Sequence, residues 1–403
     1  IDFRNGKEPF IFYEGPPSAN GLPGIHHVMA RSLKDIFCRF HTQLGEQVFR
    51  KAGWDTHGLP VELGVEKELG ITKDDIGKKI SVADYNKACK EAVMRYTNIW
   101  NDLTEKIGYW VDLDDPYITY KPKYMETVWW LLKQLYNKGL LYKGYTIQPY
   151  SPKAGTGLSS HELNQPGCYR DVSDTTITAQ FKVKDFSPKA KEELGSPEGV
   201  VYILAWTTTP WTLPSNTALA VGKNIDYVLV RTFNQYTFEP IQVILAKELV
   251  EKQFGAKFFK TSEEADFTAY ANDENRKKVP YEVLAECKGA DLVGTTYEQL
   301  IPWFLPAENA EKAFRVIPGD FVTTEDGTGI VHIAPTFGAD DARVGKENGI
   351  PPMLVKDEND NLVPLVDLQG RFLKGDKVPA LFAGKYIKNE YYKSGEAPEK
   401  SWD

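Results

Sequence analysis

The chain has 403 residues, enough for roughly two or three domains, and its 42% apolar, 12% aromatic and 26% charged content is that of a globular protein. A formal net charge of −8 argues against a non-specific polyanion binder, and no apolar run approaches the roughly 18 residues of a membrane span. The four cysteines are scattered with no Cys-x-x-Cys, which argues against a disulfide framework or a cysteine zinc cluster and fits a reducing cytoplasm.

In chain order, residues 10–13 read as a short buried strand. Residues 25–44 place Ile25, Met29, Leu33, Ile36, Phe40 and Leu44 at helical spacing, with Gly45 as a stop. Residues 47–50 predict a second strand leading into the turn 53–60. Ser81 with Asp84 forms a capping box for a helix running to about Ile107. Pro122 opens another helix that carries Val128, Trp129, Leu132 and Leu135 and ends near Gly139. Strands alternating with helices over this part predict a parallel α/β sheet. From residue 176 to 335 β-rich runs dominate, at 178–183, 200–206, 227–232, 242–245 and 329–333, which predicts a second, mostly β domain. Residues 272–278 read as a polar surface loop. The first methionine is Met29, and the chain reads as a piece of a longer protein.

The motifs narrow the chemistry. The run Phe12-Tyr13-Glu14-Gly15-Pro16-Pro17-Ser18-Ala19-Asn20-Gly21-Leu22-Pro23-Gly24-Ile25-His26-His27 joins a Gly/Pro turn to a helix start carrying two imidazoles. Backbone N–H groups and the positive end of the helix dipole suit nucleotide phosphates there, and the histidines add donors. The run resembles the first signature of the class I aminoacyl-tRNA synthetases, His-x-Gly-His, with Gly24 and His26 in the reverse of the usual order. A second run, Gly53-Trp54-Asp55-Thr56-His57-Gly58-Leu59-Pro60, sets a carboxylate at a strand end. Asp55 reads either as an amino-acid-binding group or as a cap for a structural turn.

A third run, Ala205-Trp206-Thr207-Thr208-Thr209-Pro210-Trp211-Thr212-Leu213-Pro214-Ser215-Asn216, is similar to the threonine-rich editing segment of the isoleucine branch of that family. The valine and leucine branches carry arginine at the position of Thr209. A fourth run, Glu325-Asp326-Gly327-Thr328-Gly329-Ile330-Val331-His332-Ile333-Ala334-Pro335, is followed by Phe337-Gly338-Ala339-Asp340-Asp341. The two aspartates also suit a helix start on their own. Tyr109-Trp110-Val111-Asp112-Leu113 and Leu158-Ser159-Ser160-His161-Glu162 support the same resemblance.

The resemblance implies the first part of a Rossmann-type parallel-sheet nucleotide-binding domain at 1–171, an inserted, mostly β editing domain at 172–390, and the start of a return to the catalytic domain at 391–403. It implies ATP binding by Gly24, Ile25, His26 and His27, with Gly24, His26 and His27 serving catalysis. Pro16 and Asp55 then bind the amino acid. Thr207, Thr208, Thr209, His332 and Asp341 then edit, His332 beside the side chain and Asp341 on the ammonium group. The partners implied are tRNA-Ile, isoleucine and ATP with Mg2+, in a cytoplasmic monomer without membrane association. No metal site is expected: where many relatives carry a Cys-x-x-Cys zinc half-site this chain has Ser151 and Ala154, and His161 alone cannot hold zinc. Nothing resembles a Lys-Met-Ser-Lys-Ser loop. Two other readings stay open, a smaller nucleotidyltransferase sharing the ATP turn and a non-catalytic tRNA-binding paralogue.

Overall fold

A computed structural model describes residues 5–144, 146–197, 199–273, 277–375, 378–392 and 396. The chain divides into two compact units at the Gly144/Tyr145 boundary. Of the expected return segment, residues 393–395 and 397–403 lie outside the described residues, as do 274–276 of the expected polar loop.

The first unit is built from α1 (Ile25–Gln43), β1 (Lys51–Trp54), α2 (Leu59–Leu69), α3 (Val82–Val93), α4 (Thr97–Lys106), β2 (Asp112–Ile118) and α5 (Pro122–Asn137). Strands β1 and β2 pair in parallel, and isolated parallel bridges join Pro9 to Gln47 and Ile76 to Ile80. Residues 10–13 form no strand and are not buried. Ile11 and Tyr13 are exposed, and the only ladder bond there runs from the Phe10 N–H to the Gln47 carbonyl. The predicted strand at 47–50 falls at Lys51–Trp54 instead, because the pairing partner begins at Asp112 and Arg50 turns inward to Asp35.

The single helix expected from Ser81 to Ile107 is two. The Ser81 hydroxyl caps α3 by accepting from the Asp84 N–H, and the chain then breaks at Tyr96, whose N–H goes to the Ala19 carbonyl. Helix α1 forms where expected, and its apolar stripe is not the side that packs. Ile25, Met29, Leu33, Ile36 and Phe40 are exposed, while Arg31, Asp35 and Cys38 are buried. Asp35 receives Arg50, Arg39 and the Trp110 N–H, so the polar side of the helix is the one that packs. Amphipathic spacing identifies a face and not what covers it.

The second unit begins with a short hairpin, β3 (Tyr150–Ser151) and β4 (Thr156–Gly157). Ten strands follow: β5 (Ile177–Asp185), β6 (Val201–Thr207), β7 (Ala218–Val221), β8 (Asp226–Phe233), β9 (Pro240–Ala246), β10 (Phe258–Lys260), β11 (Val279–Lys288), β12 (Thr296–Tyr297), β13 (Arg315–Pro318) and β14 (Ile330–Ile333). Strands β6, β14, β7, β13, β12 and β5 pair in a ring that closes through β5–β6, a β-barrel; β9, β8, β11 and β10 extend from β6 as a sheet. Period two divides the core. Phe181, Ile203, Ala205, Leu219 and Val316 point to one cluster, while Leu204, Val228, Val230 and Leu245 point to the other. Strand β6 is covered on both faces and therefore reads as a continuous apolar run rather than an alternation.

Candidate functional site

In the first unit, Gly24 is the N-cap of α1 with extended backbone, and its N–H donates to His27 Nδ1 at 2.9 Å. Nδ1 is thereby an acceptor, and Nε2 carries the proton of the neutral ring. Burial, then the nearby His26 and Arg31, lower the His27 pKa, which keeps that ring neutral. Its edge rests on Trp100, ring centroids 4.7 Å apart, and the Trp100 indole N–H donates to the Gly21 carbonyl at 2.9 Å. Helix α4 therefore props the turn from behind.

His27 borders a cleft of about 320 Å³ together with Glu14, Ser18, Arg31, Lys34 and Trp100. His26 lies beside it, its ring centroid 3.8 Å from that of His27, and Ile25 is exposed. Lys34 pairs with Glu14 at 2.7 Å, and Glu14 also receives the Tyr109 hydroxyl. The Ser18 hydroxyl is buried and finds no partner among the described residues. Asp55 follows β1, exposed, and its N–H donates to the Pro17 carbonyl at 2.9 Å. The Pro16-Pro17 turn and Asp55 are thus brought together, but Pro17 borders the cleft and Pro16 and Asp55 do not.

In the second unit a single cavity of about 1000 Å³ takes in Thr207, Thr208, Thr209, His332 and Asp341. Thr207 ends β6, Thr208 and Thr209 lie in the turn beyond it, and His332 sits on β14, which runs parallel to β6. The Thr209 N–H donates to the Thr207 hydroxyl, folding the threonines into a tight turn. His332 is buried. Its Nε2 lies 2.7 Å from the Thr212 hydroxyl and its Nδ1 3.0 Å from the Asn216 amide nitrogen, and burial pushes its pKa down to about 4.

Asp340 and Asp341, adjacent in sequence, part ways at the start of the helix Ala339–Glu347. Asp340 turns outward to Arg343. The Asp341 carboxylate turns inward and accepts the Ala334 N–H at 2.8 Å, and burial, with Asp340 adding to it, raises its pKa. An acidic group half stripped of water at the cavity wall is suited to a cationic substrate group. Thr212 also lines the cavity, and Asn216 and Tyr297 stand behind His332. The first two stand in the threonine-rich run, whereas Tyr297 lies 81 positions from Asn216 and carries no local signal. Ser151 accepts the Ala154 N–H in a turn, and no cluster of metal-ligating side chains occurs among the described residues.

The family model described as tRNA synthetases class I (I, L, M and V) matches residues 1–318. The chain belongs to that family. It is 62% identical over 398 residues to an isoleucine–tRNA ligase of Bacteroides thetaiotaomicron, covering 97% of this chain and 33% of the relative. It is 59% identical to the corresponding ligase of Porphyromonas gingivalis, over 96% of this chain and 34% of that one, and 46% identical to that of Clostridium tetani, over 91% and 30%. The chain spans about a third of the length of these curated relatives. Among solved structures it is similar to the editing domain of the P. knowlesi cytosolic leucyl-tRNA synthetase, at 15% identity and a TM-score of 0.28, over 41% of this chain and 59% of that one.

Proposed function

We propose that this chain works as part of an isoleucine–tRNA ligase. Residues 1–171 form the first part of a Rossmann-type site that activates isoleucine with ATP, which enters as its magnesium complex. Residues 172–390 hydrolyse Val-tRNA-Ile, and 391–403 lead back to the catalytic domain. The observation that carries the reading is the meeting of Thr207, Thr208, Thr209, His332 and Asp341 around one cavity, in a chain 62% identical to a ligase of that name.

In the first site the neutral His27 offers Nε2–H to a phosphate oxygen, with the positive end of α1 behind it. Ser18 and Lys34 line the same cleft. Such a site acts by holding carboxylate and α-phosphate in line and stabilising charge. An apolar pocket that admits isoleucine gains only about 1–3 kcal/mol against valine, a limit for which isoleucine-specific synthetases are the standard example, so a second, hydrolytic site is needed. The 1000 Å³ cavity is roomy enough for an aminoacyl-adenosine end. Asp341 takes the ammonium group, and the threonine hydroxyls hold the ester and a water. Trp211 also lines that cavity.

The test uses the full-length protein. Isoleucine-dependent ATP–pyrophosphate exchange together with Val-tRNA-Ile deacylation is the expected result. Exchange with neither amino acid favours the non-catalytic paralogue, and exchange without deacylation removes the editing assignment.

A further inference from the structure

We propose that Tyr297, outside the cavity, is a positioning residue that fixes the proton arrangement of His332 and through it the threonine turn, a role that rests on the hydrolytic reading of this site. The phenol is 2% exposed, held on β12 between the edges of Phe181 and Phe314. Its hydroxyl donates to Asn216 Oδ1 at 2.6 Å. Asn216 Nδ2 donates one hydrogen to the Ala218 carbonyl at 2.8 Å, a bond that independently fixes which amide atom is nitrogen, and its other hydrogen to His332 Nδ1 at 3.0 Å.

The direction of every later bond follows. With its lone pair engaged by Asn216, Nδ1 bears no proton. In the neutral ring Nε2 therefore carries it and donates to the Thr212 hydroxyl. Thr212 in turn spends its own proton on the Thr209 carbonyl at 2.8 Å. The chain thus runs one way, from Tyr297 through Asn216, His332 and Thr212 to the turn that presents Thr208 and Thr209 to the cavity.

Two consequences separate this from an ordinary buried network. Neither His332 nitrogen keeps a free lone pair, so the residue has nothing with which to take a proton from an attacking water. Its part is to hold Thr212 and the 209–212 turn in one arrangement. A reversed Asn216 amide would present oxygen to Nδ1, demand the other tautomer and leave Thr212 facing an Nε2 lone pair. Two contacts oppose that reversal, the Ala218 carbonyl, which would face the amide oxygen, and, from the core side, the Tyr297 hydroxyl.

The experiment reads the tautomer directly. In the full chain labelled with 15N at histidine, the His332 resonances, assigned by their loss in His332→Gln, are expected to show a protonated Nε2 and a bare Nδ1 at neutral pH. Tyr297→Phe, which removes one of the two restraints on the Asn216 amide, is expected to admit a detectable minor share of the other tautomer. In the full-length enzyme the same substitution is expected to lower kcat for Val-tRNA-Ile deacylation about tenfold, with KM unchanged, as a lost hydrogen bond in a buried network does. Asn216→Ala is expected to cost a similar factor, and the double variant no more than either alone. A protonated Nδ1 in the unmodified chain overturns the proposal, a result that needs no variant to fold. So does a tautomer mixture in Tyr297→Phe with undiminished deacylation, or diminished deacylation with the tautomer unchanged. If the unmodified enzyme shows the Nε2–H form yet clears no Val-tRNA-Ile, the hydrolytic reading falls and the role of Tyr297 with it.

Discussion

The ring of His26 occupies the space that a side chain on residue 24 would need: a Cβ built on Gly24 would stand 2.8 Å from His26 Cε1 and 3.0 Å from its Nδ1. The Gly24 backbone, at φ −106°, is open to any residue, so the approach of the imidazole and not the chain conformation favours glycine there. The exchange of glycine and histidine across this signature is therefore a paired change. In the usual order of the signature an imidazole stands at the position of Gly24, whereas here the His26 ring folds back over it.

It follows that Gly24→His alone should lower isoleucine-dependent exchange in the full-length protein roughly 10²-fold, by displacing His26 and the turn. Gly24→His combined with His26→Gly, which restores the usual order, should recover most of it. His26 is exposed, so the melting temperature of the chain should not move with either change. Full exchange by Gly24→His alone refutes the pairing. His27→Ala should cost roughly 10²–10³ in rate, since it removes the donor held by the Gly24 N–H.

Asp341→Asn keeps an oxygen for the Ala334 N–H and removes only the charge. Deacylation of Val-tRNA-Ile should then weaken by about 2–5 kcal/mol, the loss found when a buried charge partner is truncated, while isoleucine activation stays as it was. Undiminished deacylation by this variant means that Asp341 does not hold the ammonium group.

Gly338 places that carboxylate. A Cβ on Gly338 would lie 2.6 Å from Asp341 Cγ and 2.8 Å from both its oxygens, although the backbone at φ −99° would accept alanine. Gly338→Ala should therefore push Asp341 out of the cavity wall at an overpacking cost of about 1–3 kcal/mol in urea unfolding. Its deacylation defect should match that of Asp341→Asn, and the double variant should show no further loss. A defect that adds in full places the effect of Gly338 elsewhere.

The residues that meet around the second unit's cavity could be named from the sequence because the threonines, His332 and Asp341 sit in two short runs that resemble motifs of one family. What joins those runs could not. Nothing near Tyr297 hints at Asn216, because the barrel alone brings β12 beside the threonine segment. In the first unit, periodicity found α1, and the Ser81 signal found the cap of α3, but the apolar spacing of α1 does not mark the side that packs. The partners that bury Asp35 are Arg50, just before β1, and the Trp110 N–H, just before β2, neither of them in α1. Period and propensity describe a segment, and burial is decided by what lies against it.

The depressed pKa of His332 makes acid stability a measurement of this site. Unfolded, the imidazole titrates near its ordinary 6.5; folded, burial holds it at about 4. Between those values the unfolded chain binds the proton and the folded one does not, so the contribution is fully present above about pH 6.5 and is lost as pH falls toward 4. The loss from this one group should reach about 2 kcal/mol by pH 5 and about 3 kcal/mol below pH 4. Asp341, whose pKa is raised by burial, works in the opposite sense by favouring the fold once it is protonated. The two are separated by substitution: His332→Gln lowers stability by an amount independent of pH and removes the histidine's share of the slope. Urea unfolding of the chain and of His332→Gln, followed by circular dichroism at pH 7, 6 and 5, should therefore show the stability difference between them narrowing as the pH falls. A difference that stays constant over that range would mean that His332 takes up a proton in the folded state as readily as in the unfolded one, and the buried, neutral imidazole would be wrong.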